Sequence, residues 1–323
     1  MREHCPVPVI RTPRPSLVRP VALRYYHSMS TQGARYVPFA VSGATGAVGS
    51  RVAARLADLG QSQRLIVRDV SRAPDLPGAE VAEAAYEEPE AMRVALAGAG
   101  KFFVVSAGEA ADRVPQHVAA VDAAVASGVE RIVYLSFLGA SPEATFTFAR
   151  DHWHTEEHIR ASGVRYAFLR DSLYLDMLPT MVGADGVVRG PAGDGRVAAV
   201  ARDDVADAVV AVLLSEGGYD GRTFDLTGPE AITVYEIAEE LSQVTGRDIT
   251  YYAETLEEAY ESRASYGAPE LEVEVWISSY DAIAVGEMDL VSDAVSRLTD
   301  HEPQNLTEFL RRYPESYQHL IIV

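Results

Sequence analysis

The chain has 323 residues, 48% hydrophobic and 23% charged, a composition typical of a globular protein that can bury a sizeable core. Its net charge of −19 argues against a broad nucleic-acid-binding surface, because phosphate contacts require clustered Lys and Arg. No apolar run approaches the length of about 20 residues that a bilayer span needs, and the single cysteine, Cys5, excludes an intrachain disulfide and favours a reducing, cytoplasmic setting.

The N-terminal segment, residues 1–35, differs from the rest of the chain. It carries six arginines and one acidic residue, and it shows neither helical nor strand periodicity. Its Arg-rich, acid-poor balance faintly resembles a transit peptide. The simpler interpretation is a disordered or extra N-terminal extension, or translation upstream of a true start at Met29. We therefore exclude this segment from the fold prediction.

From residue 36 onward, short β-rich runs alternate with helical patterns. Strands are expected at 36–42, 64–68, 80–84, 101–106, 131–136 and 166–170, and helices at 50–60, 89–100, 114–128 and around 151–158. Such alternation implies right-handed βαβ units and a parallel sheet with helices on both faces. The predicted fold class is therefore α/β, a doubly wound sheet of the Rossmann type.

A glycine-rich loop, GATGAVG, lies between the first strand and the first helix. Its glycines follow G-x-x-G-x-x-G, a variant of the dinucleotide fingerprint. Glycine permits the tight turn and the close approach of backbone to pyrophosphate, which then sits on the helix N-terminus. The expected cofactor contacts in this loop are Gly43, Thr45, Gly46, Ala47, Val48 and Gly49.

The end of the second strand predicts which dinucleotide binds. Arg68 stands at this end and Asp69 follows it. An arginine there accommodates the 2′-phosphate of NADP, whereas an acid bonds the 2′-hydroxyl of NAD. We therefore expect NADP as the cofactor, with NAD left open by Asp69.

The stretch DHWHTEEH, residues 151–158, supports two different interpretations. His154, Glu157 and His158 fit H-x-x-E-H, a zinc-peptidase signature in which two histidines one turn apart bind one ion. His152, Thr155 and Glu156 lie on another face of the same helix. The two interpretations use different residues, and the rest of the chain favours the second one without a metal.

Several motifs recur in order along the chain: GATGAVG, VRD, RVPQH, the H-x-x-T-E of residues 152–156, LRDSLY and GPAGDGR. Together they resemble the NmrA-like branch of the atypical short-chain dehydrogenase/reductases, especially type 2 NAD(P)H:quinone oxidoreductases and triphenylmethane reductases. The resemblance implies an NAD(P)-binding Rossmann domain, here 36–170 with segments recruited from 196–230. It also implies a smaller α+β substrate domain, here 171–323, with the cleft between the two.

The resemblance implies a reductase that transfers hydride from NAD(P)H to a quinone or a similar conjugated electrophile. The Tyr-x-x-x-Lys pair of ordinary superfamily members is excluded, because the only lysine is Lys101, inside a predicted strand. In the NmrA-like branch, a histidine or lysine heading H/K-x-x-T-E takes the place of that lysine. His152, Ser136 and Tyr174 are the candidate catalytic residues. Contacts with the cofactor are also expected from Ser106, Ala107, Ser136, Phe137 and His152.

Two alternatives remain open at this point. Some NmrA-like proteins bind the dinucleotide without turnover and report redox state to a protein partner, and the absent Tyr-Lys pair fits that role as well. The zinc metallopeptidase is the remote alternative. The expected partner is a small-molecule substrate, without nucleic acid or membrane, and a homodimer is left open. No pattern in residues 255–290 maps to a ligand.

Overall fold

The computed structural model describes residues 36–108 and 110–321. The N-terminal extension expected over residues 1–35, with its alternative start at Met29, lies outside the described residues. The strands are β1 (Val37–Ser42), β2 (Gln63–Val67), β3 (Ala79–Glu83), β4 (Ala99–Val104), β5 (Arg131–Phe137), β6 (Arg165–Asp171), β7 (Val187–Gly190), β8 (Arg196–Val197), β9 (Arg222–Leu226), β10 (Ile232–Thr233) and β11 (Thr250–Ala253).

Seven of these strands form one sheet in the order β3-β2-β1-β4-β5-β6-β9, and every pairing in it is parallel. The order reverses between β1 and β4, the position at which an open α/β sheet leaves a crevice for a ligand. The predicted Rossmann-type, doubly wound sheet is confirmed.

Helices cover both faces of this sheet. In chain order they are α1 (Ala47–Asp58), α2 (Pro89–Leu96), α3 (Arg113–Ala126), α4 (Thr147–Ser162), α5 (Arg202–Leu214), α6 (Val234–Thr245), α7 (Leu256–Arg263), α8 (Glu270–Ala284), α9 (Ala294–Leu298) and α10 (Leu306–Arg312). α1, α5 and α9 pack on one face, and α2, α3 and α4 pack on the other. Along β1, Val41 contacts the first layer and Ala40 the second, as the two-residue period of a strand requires. None of the helices in the described residues combines the length and the apolarity needed to cross a bilayer.

The boundary between α2 and β4 differs from the prediction. A single helix was expected over 89–100, but α2 ends at Leu96 and the strand already begins at Ala99. Gly98 ends the helix because its φ of +77° is readily accessible only to glycine. Gly100 then belongs to the strand, where an added Cβ would lie 3.2 Å from the carbonyl oxygen of Pro38 on β1.

The C-terminal part contains two small sheets, β7 with β11 and β8 with β10, surrounded mainly by α6, α7, α8 and α10. β8 has only two residues, because the N–H of Ala198 donates to the carbonyl oxygen of Met288 instead of to a neighbouring strand. The segments that form α5 and β9 return to the large sheet. The division into domains at residue 170 stays a prediction.

The end of α5 is held by the only lysine of the chain. Lys101, on β4, donates from Nζ to the carbonyl oxygen of Ser215 at 2.8 Å and also to that of Leu213. Arg131, on β5, donates to the same Ser215 oxygen at 2.9 Å. The last carbonyls of a helix have no partner within the helix, so these two cations satisfy them and attach α5 to the sheet.

Replacing Lys101 should therefore destabilise the fold. We expect Lys101→Met, which keeps an apolar stem of similar length, to lower the free energy of unfolding by about 1–3 kcal/mol, because helix carbonyls lose their donor. Urea denaturation followed by circular dichroism measures this. Arg93→Met removes an exposed cation on α2 that pairs with the exposed Glu90, and it should change stability by less than about 0.5 kcal/mol. Equal effects of the two substitutions would contradict the role given to Lys101.

Candidate functional site

The glycine loop joins β1 to α1 at the carboxyl edge of the sheet. Gly43 has a φ of +62°, and the N–H of Gly46 donates to its carbonyl oxygen at 2.8 Å, which closes a tight turn. A Cβ on Gly49 would lie 2.2 Å from the same oxygen, so a side chain there is excluded. Within the described part of the chain, no side chain caps the start of α1. Its first N–H groups therefore suit a pyrophosphate.

Within this loop, the predicted contact residues divide into two sets. Thr45, Gly46 and Ala47 are exposed and line the open side of the turn. The side chain of Val48 instead packs in the core between α1 and the sheet. Val48 can therefore reach a ligand only through its backbone.

Beside the loop, a cavity of about 140 Å³ opens at the ends of β1, β2 and β4. Gly43, Arg68, Ser106 and Ala107 line it. Arg68 directly follows β2 and is exposed, with its guanidinium available to an anion. This position is the one at which an arginine accommodates a 2′-phosphate.

The neighbouring acid, Asp69, is engaged elsewhere. Its carboxylate accepts hydrogen bonds from the N–H of Ser71 at 2.9 Å and from the Ser71 hydroxyl at 2.6 Å. These bonds hold the pKa of Asp69 below its usual range and cap the turn Val70–Arg72. Both bonds use the same oxygen, Oδ1, so Asp69 is held by its own turn while the exposed Arg68 lines the cavity, an arrangement that suits NADP.

A second cavity, of about 240 Å³, lies at the ends of β5 and β6 and is called the central cavity below. Ser106 lines both cavities, so the two are neighbours. The central cavity brings together five residues predicted for the site: Ser106, Ser136, Phe137, His152 and Tyr174. Another polar group of the lining, Asp171, stands at the end of β6, where the strand-end rule places ligand contacts. The sequence did not predict Arg113, Ser172, Ser279 or the wall residue Trp276.

His152 is buried, and both of its ring nitrogens are occupied. Because a guanidinium only donates, Nε2 accepts from Arg113 at 2.9 Å, and Nδ1 then carries the proton and donates to the hydroxyl of Tyr134 at 2.8 Å. Burial and the adjacent Arg113 hold the pKa of His152 well below its usual range. In this arrangement the only N–H of His152 is used inside the protein.

A second buried histidine supports the same wall. His117 Nε2 accepts from the N–H of Ala107 at 2.7 Å, and its Nδ1 donates to the hydroxyl of Thr155 at 2.9 Å. Burial lowers the pKa of His117 to about 3. The backbone N–H of Ala107 is therefore used inside the protein. Ala107 can contact a ligand only through its other atoms.

Ser136 is completely buried, and its hydroxyl donates to Glu156 at 2.6 Å. Glu156 is itself inaccessible to solvent and also receives two hydrogen bonds from Arg170, at 2.8 and 2.7 Å. Thr155 and Glu156 thus anchor His117 and Ser136 behind the cavity wall. His152, Thr155 and Glu156 therefore all face the interior of the protein.

The other face of α4 shows no metal site. His154 and Glu157 are exposed, Glu157 pairs with Arg160, and Nε2 of His158 lies 2.7 Å from a carboxylate oxygen of Asp122. Among residues 36–108 and 110–321, the only cluster of His, Cys, Asp and Glu with metal-ligand spacing is Asp204, Asp207 and His301, far along the chain. The zinc-peptidase interpretation is therefore not supported by this helix.

An acidic pair faces the central cavity from the end of β6. Asp171 is 4% exposed and accepts a hydrogen bond from the hydroxyl of Tyr174. Burial raises the pKa of Asp171 to about 7, although the hydrogen bond from Tyr174 and the charges of Arg202 and Arg113 oppose the shift. Near neutral pH, the carboxyl group is therefore protonated in a large fraction of molecules and can release a proton.

The sequence carried a partial signal for one of the residues that it did not predict, because Arg113 opens the motif RVPQH. Val275, Trp276 and Ser279 come from α8, in the stretch that showed no ligand-related pattern. The contribution of α8 to the site becomes visible only in the folded structure.

Comparisons with known proteins agree with this geometry. Residues 43–216 match the model of the NAD(P)H-binding family. The chain is 33% identical to quinone oxidoreductase 2 of Escherichia coli K12, over 83% of this chain and 96% of that protein. It is 27% identical to an NAD(P)H azoreductase of Xenophilus azovorans, over 86% of this chain and 98% of that protein.

Solved structures give the same result. A quinone oxidoreductase of Escherichia coli bound to NADPH superposes with a TM-score of 0.78 at 30% identity, covering 85% of this chain and 99% of that one. Citrobacter triphenylmethane reductase bound to NADP(H) gives 0.75 at 31% identity, with the same coverage. The transcriptional regulator NmrA, at 18% identity and a TM-score of 0.71, shares the fold. The chain therefore belongs to the NAD(P)H-binding family of oxidoreductases, in the NmrA-like branch of the atypical short-chain dehydrogenase/reductases.

Proposed function

We propose that this protein is an NADPH-dependent reductase of quinones or similar conjugated electrophiles. The observation that carries the proposal is the central cavity, which adjoins the glycine loop, has aromatic walls and contains the protonatable carboxyl group of Asp171. A flat conjugated ring fits between aromatic side chains, and its reduction requires one hydride and one proton. The printed activities of the quinone oxidoreductase and azoreductase relatives support the same class of acceptor.

The cofactor fits the residues present. The backbone of the glycine loop, which excludes a Cβ at Gly49, would hold the pyrophosphate, and Arg68 would hold the 2′-phosphate. Ser106 and Ala107 would line the path between the two cavities, and Phe137 would form the wall beside the nicotinamide ring. When bound, NADPH supplies the hydride.

Ser136 and His152 would act as positioning residues. Ser136 is tied to Glu156, and His152 links Arg113 to Tyr134, so both fix the wall against which the rings pack. Hydride transfer depends strongly on alignment, and a displacement of about 1 Å is enough to lower the rate on the order of a hundredfold.

Tyr174 and Asp171 would deliver the proton. In the structure the hydroxyl of Tyr174 donates to Asp171. When Asp171 is protonated this hydrogen bond would reverse, so that Tyr174 donates its own proton to the oxygen anion of the reduced acceptor and receives the proton of Asp171 in its place. The carboxylate left behind is stabilised by the nearby charges of Arg202 and Arg113. Water then reprotonates it. This pair performs the task for which ordinary superfamily members use tyrosine and lysine.

The proposal also includes a cytoplasmic location and leaves a homodimer open. A reducing compartment agrees with a single cysteine, Cys5. The small-molecule acceptor is the expected partner.

The first test is turnover of NADPH by the full chain with simple benzoquinones. We expect NADPH oxidation that depends on the quinone.

We expect Arg68→Ala to raise the KM for NADPH by about 10–100-fold, because one charged contact with the 2′-phosphate is lost. The KM for NADH, which lacks that phosphate, should stay nearly unchanged. Arg72→Ala, an exposed arginine in the adjoining turn, is the matched control. Binding of NADPH without oxidation by any quinone would instead favour a redox sensor.

The pH dependence tests the proton donor. Because the pKa of Asp171 is raised to about 7, its donating form is present below that pH and disappears above it. We expect kcat at saturating NADPH to fall about tenfold per pH unit above neutrality. Asp171→Asn should lower kcat near pH 6 on the order of a hundredfold and flatten the profile of kcat against pH.

The matched control is Asp225→Asn, which should keep the wild-type profile. Asp225 is half-buried, its pKa is also raised, and it lies outside the central cavity. An unchanged profile in Asp171→Asn would refute the assignment.

The two faces of α4 should respond differently to substitution. We expect His152→Ala to lower kcat/KM by at least about tenfold, because Arg113 loses its acceptor and the cavity wall shifts. His152→Gln, whose amide oxygen can accept from Arg113, should recover part of the loss. His154→Ala and His158→Ala should stay within about twofold of the wild type, since surface changes are nearly neutral. Loss of activity in these last two variants, together with copurified zinc, would revive the peptidase interpretation.

A further inference from the structure

A third cavity, of about 450 Å³, adjoins the central cavity and is called the distal cavity below. It lies between the segment Leu175–Met181, β7 and α8. The two cavities share four lining residues, Leu173, Met177, Trp276 and Ser279. The two cavities are therefore neighbours, and the distal one is the space into which a ligand of the central cavity would extend.

The volume of the central cavity indicates that an acceptor with a large substituent on its ring needs both cavities. A cavity of about 150 Å³ holds one benzene ring, whereas the central cavity measures about 240 Å³. The nicotinamide ring and one acceptor ring would fill that space together. Any further substituent on the acceptor must therefore leave it, and the distal cavity, which is almost twice as large, is the adjoining space.

The wall of the distal cavity is apolar, and its charges are neutralised. Leu178, Met181 and Val187 contribute apolar surface to it, as does the ring of Tyr280. Arg263 lies 2.7 Å from Glu254, with both side chains buried.

The second arginine of the wall, Arg189, lies 2.6 Å from Asp185. A guanidinium that already holds a carboxylate offers little to an anionic ligand. The distal cavity therefore selects an uncharged group.

We propose that the distal cavity binds an uncharged hydrocarbon arm of the electron acceptor, so that the preferred substrate is a quinone with an apolar side chain. This inference rests on the reductase function proposed above. The quinone ring lies in the central cavity beside the nicotinamide site, and the arm passes between Met177 and Trp276. Burial of the arm adds binding energy remote from the reacting atoms.

The test compares two quinones that share one ring, 2,3-dimethoxy-5-methyl-1,4-benzoquinone and its 6-decyl derivative, with NADPH and the full chain. We expect the decyl compound to have a kcat/KM at least about tenfold higher, because apolar surface is buried only when the arm is present. Equal values for the two quinones would overturn the inference and leave the reductase function intact. Absence of NADPH oxidation with both would overturn both.

A second experiment fills the distal cavity. Val187→Trp and, independently, Met181→Trp place a large ring in the cavity and should abolish the advantage of the decyl quinone. Neither should change kcat/KM for the ring alone by more than about twofold. Thr250→Trp is the matched control, because Thr250 is exposed on β11 directly opposite Val187 and lines neither cavity. Persistence of the advantage in both filled variants, with unchanged thermal stability, would refute the proposal.

Discussion

A buried carboxylate, Glu156, connects the elements that build the site. It lies on α4 and binds the hydroxyl of Ser136 on β5 and the guanidinium of Arg170 on β6, while Arg160 approaches from the next turn of α4 at 2.9 Å. An unpaired charge in this interior would be very costly, so these partners must stay together. Because β5 and β6 end at the central cavity, the same contacts fix one wall of that cavity and the angle at which α4 crosses it.

The buried histidines and the buried carboxyl group around the central cavity differ in their protonation state. The buried histidines, His117 and His152, stay neutral because burial and Arg113 oppose a second proton on either ring. They therefore hold neighbouring side chains in place and are poorly suited to transfer protons. Asp171 has the opposite behaviour, because burial opposes its anionic form and retains a proton on it. Burial favours the neutral form of each group. The imidazoles therefore have a structural role, whereas the carboxyl group keeps a proton that it can donate.

The sequence predicts the fold better than it predicts the site. Strand periodicity and the glycine loop locate β1 to β6 within one or two residues, since burial on both faces leaves long apolar runs. The end of α2 was misplaced because Gly98 and Gly100 are equally compatible with a helix end and with a close strand contact. Site residues are harder to predict, because their roles depend on partners far along the chain. His152 meets Arg113 across 39 positions, and the turn that occupies Asp69 is visible only once Ser71 is placed.

The position of Lys101 has a consequence for the chemistry of the protein surface. All other basic side chains in the sequence are arginine or histidine, and this lysine is partly buried with Nζ directed at helix carbonyls. Lysine-directed reagents therefore have one side-chain target in this sequence, and its Nζ is engaged at the carbonyls that end α5. Acylation of that amine would remove the charge from those carbonyls, so lysine-directed labelling of this protein reports on the opening of a single, defined edge of the fold.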